Sequence, residues 1–447
     1  MPSDSLDEQA ELTNDAIEGI IDVPPSAPRL GTFAALSHRN FRLYFIGQFI
    51  SVAGSWMQIV AQQWLVYKLT HSSEWLGIVS GAAAIPYVLL SMHGGHVADT
   101  YPRRNTMLWT QTVFMVLAFA LAILDTRFSP VHIQAWHIAV ISALSSVVNA
   151  YAMPAQQAFL SDMVDTREML GNAIALGSIQ FNTARILGPV LAGIVLAEYG
   201  AAACFFVNAL SFIAVIISLI MMRLRPFVPA SRKISVWEGF HFIWKNTRML
   251  RVVILMSAGS MFLWSVSTLN PVFADRMVPG LYGMKITHQV FNQMSARLLG
   301  WLTAATGIGA ALGGLFIASD ADRFPRRVML YGAALGFALG LATFALAGNY
   351  ILILLLLAVA SLFMVIFAVT CNTMVQSEVT DELRGRVMAV YSLLFGGLFP
   401  VGGLEIGFLA DKIGATGAVM VNTGIFIVVE LFTFIWYLTE TARKTVE

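Results

Sequence analysis

Charge is what this chain has least of. Only 12% of its 447 residues are Asp, Glu, Lys or Arg and 57% are hydrophobic, whereas a soluble domain carries about 25% charged residues. Water alone cannot be the solvent of such a surface. Cysteine is almost missing: Cys204 and Cys371 fall in apolar stretches of different halves, which excludes a disulfide framework. No G-x-x-x-x-G-K-[ST] loop occurs, so ATP is not the expected fuel. There is no long polar segment for a catalytic or nucleotide-binding domain, and no Ser-His-Asp or metal-ligand cluster, so no enzyme, cofactor or metal is expected. His93 and His96 stand together without a further ligand near them. A net charge of +1 gives no reason to expect nucleic acid as a partner. Residues 1–28 hold seven acidic residues, a Pro-Pro pair and no Lys or Arg. They lack the basic flank and apolar run of a secretory signal and read as a disordered tail.

What the chain does have is a repeat. Ala-Asp-Thr-Tyr-Pro-Arg-Arg at 98–104 returns as Ala-Asp-Arg-Phe-Pro-Arg-Arg at 321–327, 223 positions later. Gly188, Gly193 and Gly200 return as Gly402, Gly407 and Gly414, 214 positions later. A membrane helix needs about 20 apolar residues, and the chain supplies twelve such runs: 42–67, 75–97, 105–124, 134–154, 172–197, 202–222, 251–273, 298–318, 328–347, 350–372, 387–410 and 416–438. The fold class is therefore all-α integral membrane, twelve transmembrane helices in two six-helix bundles. The division follows: a tail at 1–40, a first bundle at 41–222, a linker at 223–250, a second bundle at 251–440 and a tail at 441–447. With the amino terminus inside, 20 of the 27 Lys and Arg residues face inward, six face outward and Arg185 lies in mid-membrane. That asymmetry puts both termini in the cytoplasm. In the linker, Val236, Trp237, Phe240, Ile243 and Trp244 recur at helical spacing. They predict either a helix lying in the headgroup layer or a solvated helix with one packed face.

With the repeat, the spans and the charged turns in place, residues 38–440 resemble the major facilitator superfamily. Its turn between the second and third helices reads Gly-x-x-x-Asp-Arg-x-Gly-Arg-Arg; here Gly95, Asp99, Arg103 and Arg104 match, while Thr100 and Pro102 depart. In the second copy Asp322, Arg323, Arg326 and Arg327 match, while Ala318 and Pro325 depart. The opening FRLYFIGQFISVAGSWMQIVAQQWLVYKLT and the stretch NTARILGPVLAG resemble the branch that holds the enterobactin exporter and the third family of drug:proton antiporters. Residues 275–297 form a longer outer connection than that branch has. The resemblance implies that Asp99 latches an inner gate against the start of span 11 near Gly385, where a helix's positive end favours a carboxylate. By the repeat, Asp322 faces the start of span 5 near Gly171.

Polar stripes mark candidate walls of a path. In span 1, Tyr44, Gln48, Ser51, Ser55, Gln58 and Gln62 share one face, which lipid would not tolerate. Span 4 offers Ser142, Ser145, Ser146, Asn149 and Gln156, span 7 offers Ser257, Ser260, Trp264 and Thr268, and span 10 offers Ser361, Asn372, Thr373 and Gln376. In span 5, Asn182 and Arg185 follow Ser178 on one face, and Glu405 lies within span 11. Ionisable groups in a membrane are costly and usually have a use. Glu405 is expected to exchange a proton; Arg185 either neutralises it or holds an acidic substrate. Glu430 in span 12 reads more simply as bonding a neighbour. Glycines at 77 and 81, 309 and 313, and 332, 336 and 340 read as close helix contacts.

The resemblance implies a secondary transporter in which two bundles rock about a midplane site, with a proton as coupling ion and an amphipathic small molecule exported. It implies a multi-pass monomer of the bacterial inner membrane, whose partners are that substrate and the bilayer. Span 1 departs by carrying Gln58 and Gln62 where many proton antiporters place an acid. Transport of a lysophospholipid or other lipid-like substrate is the alternative. A non-transporting receptor or scaffold is the reading from a different class, and the short tails offer it no signalling domain.

Overall fold

The structure, a computed structural model, describes residues 33–126, 129, 131–164, 166–224, 236–282, 286–320 and 323–446. Most of the expected tail, Asp322 and much of the linker lie outside the described residues. The first half contains α1 (Arg39–Thr70), α2 (Ser73–Thr100), α3 (Arg103–Leu124), α4 (Ala135–Phe159), α5 (Arg167–Tyr199) and α6 (Ala201–Met221). The linker contributes α7 (Val236–Lys245). In the second half, α8 runs from Thr247–Ala258 through a π turn at Gly259–Leu263 and a 3-10 stretch at Trp264–Leu269 into Asn270–Tyr282. Then come α9 (His288–Asp320), α10 (Arg326–Leu346) and α11 (Tyr350–Ser377).

The last helical stretch, Asp381–Val446, has one break, at Gly414 with φ 80° and ψ 156°. Its 66 residues would rise about 99 Å as one rod, more than three bilayer cores. The break makes two crossings, α12 (381–413) and α13 (415–446). Gly200, between α5 and α6, has φ 81° and ψ 179°, so the repeat-related glycines adopt the same backbone turn. A side chain is strained in that region. The crossings are thus α1–α6 and α8–α13, and the protein is an all-helical, multi-pass membrane protein.

Several helices are longer than the spans read from hydropathy. The apparent outer connection at 275–297 is mostly helix, because α8 continues to Tyr282 and α9 begins at His288. Helix ends are set by local chemistry: Ser72, Thr166, Asn246 and Asn349 each accept a backbone N–H from the first turn that follows. Pro102 and Pro325, two of the four departures from the family turn, precede α3 and α10 with φ −56° and −57°. A ring that fixes φ near these values starts a helix without strain.

Each half is tied internally at the face that carries the chain ends and the linker, called here the terminal face. Arg103 donates to Asp162 at the end of α4 at 2.6 Å, and Arg104 donates to the Ile220 carbonyl in α6 at 2.9 Å. In the second half Arg326 reaches Ser377 at the end of α11 at 3.3 Å, and Arg327 bonds Tyr437 in α13. The arginine pair of each charged turn therefore fastens the start of one helix to two neighbours, by the same plan in both halves. The α7 helix docks on the start of α12: Glu238 pairs with Arg386, Gly239 lies against the Arg386 carbonyl and Ile243 is buried. Trp237 and Trp244 remain 82% and 76% exposed on its other side.

Candidate functional site

The two halves meet along two seams, α5 with α9 and α2 with α12. Glycine makes both possible. A methyl group added to Gly300 would stand 2.8 Å from the Gly193 Cα, and one added to Gly407 would stand 3.1 Å from the Gly77 Cα. Gly77 and Gly300 are 223 positions apart and Gly193 and Gly407 are 214 apart, the two offsets of the sequence repeat. The seams are thus copies of one contact.

Polar locks reinforce the seams at the far face, opposite the terminal face. Lys68 at the end of α1 donates to Asp275 of α8 at 2.8 Å, with side chains only 10% and 14% exposed. Ser295 of α9 bonds the same carboxylate, and the Lys68 ammonium lies 4.7 Å from the Phe291 ring. Asp411 of α12 caps α2 across the seam, accepting from the Ser72 hydroxyl at 2.5 Å, the Ser73 N–H at 2.7 Å and the Glu74 N–H at 3.2 Å. A carboxylate there satisfies orphan donors at the positive end of the helix. Glu198 pairs with Arg297 on the other seam.

The halves part toward the terminal face. Gly307 of α9 still packs on Ile186 and the Arg185 carbonyl, but a methyl group at Gly171, Gly177 or Gly314 would meet nothing within 4 Å. On the other seam Gly397 touches Val88, while Gly95 and Gly385 face open space. Among the described residues, no hydrogen bond or ion pair engages Asp99, and the nearby Arg103 donates to Asp162. The latch expected between Asp99 and the start of span 11 near Gly385 is not made in this conformation, because the halves are splayed there. Its counterpart at Asp322 lies outside the described residues.

Where the halves part, Arg185 stands one end of a polar line with Ser178 and Asn182 on α5, the Asn182 amide donating to the Ser178 carbonyl at 2.8 Å. The Arg185 guanidinium lies 5.6 Å from the Trp56 ring of α1, and Trp56 meets Phe181 edge to face. No carboxylate pairs with Arg185 among the described residues. Arg185 is 14 residues from the far end of α5 at Tyr199, about 21 Å along the helix. A cation held there by an aromatic face suits an anionic or aromatic ligand.

The other expected wall residues divide. Asn149 is exposed, and Ser55 and Gln62 are half-buried. Gln48, Ser51 and Thr268 are buried, and Gln58 accepts from Asn208 of α6 at 2.6 Å. The span 1 stripe is therefore largely spent inside the first bundle, where Gly54 brings α1 against Asn208 and Ser211. Trp264 sits among Phe337, Phe367 and Phe395, with ring centres at 5.2, 6.1 and 5.3 Å, an aromatic plug of the second bundle. Glu405 accepts from Asn422 of α13 at 3.0 Å, so it turns to its own bundle and is not brought to Arg185. The reason is its place on α12: Gly403, Leu404 and Gly407 take the face toward α2. His93 meets Tyr151 at 3.1 Å. Lys68, Asp275 and Trp56 were not singled out by the sequence; Lys68 four residues after Trp64 was the available signal.

Twelve crossings in two matching bundles, closed at one face and parted at the other, define a membrane transporter of the major facilitator type. The chain belongs to the family described as "Transmembrane secretion effector", which it matches over residues 30–446. It is 25% identical to the staphyloferrin A transporter of Staphylococcus aureus over 83% of this chain and 90% of that protein. It is 26% identical to the multidrug efflux pump Tap of Mycolicibacterium fortuitum over 81% and 87% of the two chains, and 24% identical to the enterobactin exporter EntS of Escherichia coli over 80% and 82%. In fold it is similar to the nucleoside transporter NupG, with TM-score 0.70, 14% identity and coverage of 89% and 99%. A bacterial homologue of the lysosomal transporter Spinster, crystallised facing inward, gives TM-score 0.70 at 12% identity, covering 91% and 97%.

Proposed function

We propose that this transporter exports amphipathic small molecules, of drug or siderophore class, in exchange for protons and by alternating access. The observation that carries the reading is the unpaired Arg185 beside Trp56, at the depth where two sealed seams open toward the terminal face. The excess of Lys and Arg on the terminal side supports a cytoplasmic terminal face, and the bacterial relatives support an inner membrane. In this state the Arg185 site is loaded from inside, as an exporter requires. The staphyloferrin A transporter and the enterobactin exporter among its relatives support a substrate of siderophore class.

The chain is expected to act as a monomer, since each half completes the other's seam. Asp99 and Asp322 then serve the opposite state, closing the terminal face when the far face opens. Flux from proteoliposomes, with and without an imposed proton gradient, tests the reading. Gradient-driven export of an acidic aromatic substrate is expected, with Arg185→Gln losing affinity for acidic substrates and keeping neutral ones. Equal flux under both conditions contradicts proton exchange.

A further inference from the structure

One buried carboxylate has no part in the seams or in the Arg185 site. Glu430 of α13 is 5% exposed, and its Oε2 atom has no hydrogen-bond partner. A membrane carboxylate in that position is either protonated or opposed by a cation. No cation pairs with it among the described residues. The groups nearest to it come from three helices. Tyr331 of α10 donates to the Thr433 carbonyl at 3.2 Å, and the Thr433 hydroxyl donates to the Glu430 carbonyl at 2.9 Å. Arg251 of α8 is itself buried; it pairs with Glu440 at 3.1 Å and lies 5.3 Å from the Tyr437 ring. Arg327 of α10 lies 4.8 Å from the same ring and bonds its hydroxyl. Toward the far face the next polar pair is Glu405 with Asn422.

Glu430, Thr433, Tyr437 and Glu440 fall at spacings of three, four and three residues on one face of α13. From Glu430 to Glu440 that face rises about 15 Å. At its end Glu440 lines a cleft of about 970 Å³ at the terminal face, together with His241, Lys245, Arg248 and Glu378. A polar lane therefore runs from an open cleft toward a dry carboxylate, inside one bundle.

We infer that Glu430 is a proton-binding site of this transporter, emptied toward the terminal face along the lane of Glu440, Arg251, Tyr437 and Tyr331 and loaded from the far face in the opposite state. The inference rests on the proton exchange proposed above and names where the proton sits. Arg251 is the switch: paired with Glu440 it leaves Glu430 protonated, and freed from Glu440 it favours the ionised form.

The test combines two readouts on the whole protein in proteoliposomes. Infrared difference spectra between acid and alkaline pH should show a protonated-carboxyl band that Glu430→Gln removes and Glu405→Gln leaves in place. Glu430→Gln should also lose gradient-driven accumulation while its substrate counterflow is unchanged. Glu430→Asp keeps a titrating carboxyl and should retain driven accumulation, which covers the case of a Gln variant that does not fold. A band that survives Glu430→Gln, or driven accumulation undiminished by it, overturns the inference. Wild-type protein that ignores the gradient sinks the exchange reading instead, and the infrared band still decides whether Glu430 holds a proton.

Discussion

The two faces of the molecule are built from the same repeat and do opposite things. At the far face the repeat places glycines and polar locks between the halves, as in Gly193 on Gly300, Gly77 on Gly407, and Lys68 on Asp275. At the terminal face it places arginines that bind within a half, Arg103 to Asp162 and Arg326 to Ser377. One face is thus a seam between two bodies; the other is the stiffening of each body. Under the alternating access proposed above, such a division favours rocking of the halves with their interiors fixed.

Breaking the buried lock should have the largest effect. Lys68→Met leaves Asp275 with no cation in a nearly dry setting, and loss of one partner from a buried pair costs about 3–5 kcal/mol. That cost falls on the closed far face, so a cysteine at Ala296, buried where α9 meets Gly193, should become accessible to a water-soluble thiol reagent in the variant and stay protected in the wild type. Adding Asp275→Asn should restore most of the protection. Next comes Gly300→Ala, whose methyl group meets the Gly193 backbone at 2.8 Å. Overpacking of about 1–3 kcal/mol is expected, again seen as far-face exposure with little change in thermal stability. The contrasting variant is Gly402→Ala, which presses on the Met261 carbonyl within the second half. It should lower the melting temperature and leave accessibility alone.

Asp99→Asn sharpens the comparison from the other side. Asp99 has no partner in this state among the described residues, so the variant should keep its stability and this conformation, yet transport more slowly because the opposite state loses its latch. A wild-type transport rate would remove Asp99 from the gate. The smallest effect belongs to Glu198→Gln. Its pair with Arg297 has side chains 45% and 47% exposed, and such pairs contribute about 0–1 kcal/mol. Far-face protection should hardly change, and any change should shrink with salt.

The architecture was legible because duplication leaves marks that hydropathy alone does not. Gly200 and Gly414 echoed in sequence and share one backbone turn, and the Pro102 and Pro325 departures became helix starts of matching geometry. The candidate site was legible only in part. Periodicity gives the face a residue occupies and says nothing of what that face meets. Gln58 pointed inward as expected and found Asn208, because Gly54 admits α6 more closely than a cavity would allow. Lys68 fell just past span 1 and Arg251 at the first residue of span 7, because hydropathy ends a span where a charge begins. Both prolong their helices and are nearly dry. Arg185 lies beside Trp56, and Glu405 turns to Asn422 instead of to Arg185.

The rocking of two rigid halves is tested most directly by distances between spin labels at repeat-related positions, with Lys68→Met used to unlock the far face. Tyr199 and Ile413 report the far face, Tyr101 and Phe324 the terminal face, and Tyr101 with Met221 the interior of one half; all five are exposed. In Lys68→Met protein the Tyr199–Ile413 distance should lengthen and the Tyr101–Phe324 distance shorten together, with Tyr101–Met221 constant. A far-face distance that lengthens while the terminal-face distance stays fixed, or a changed distance within the half, would contradict the account.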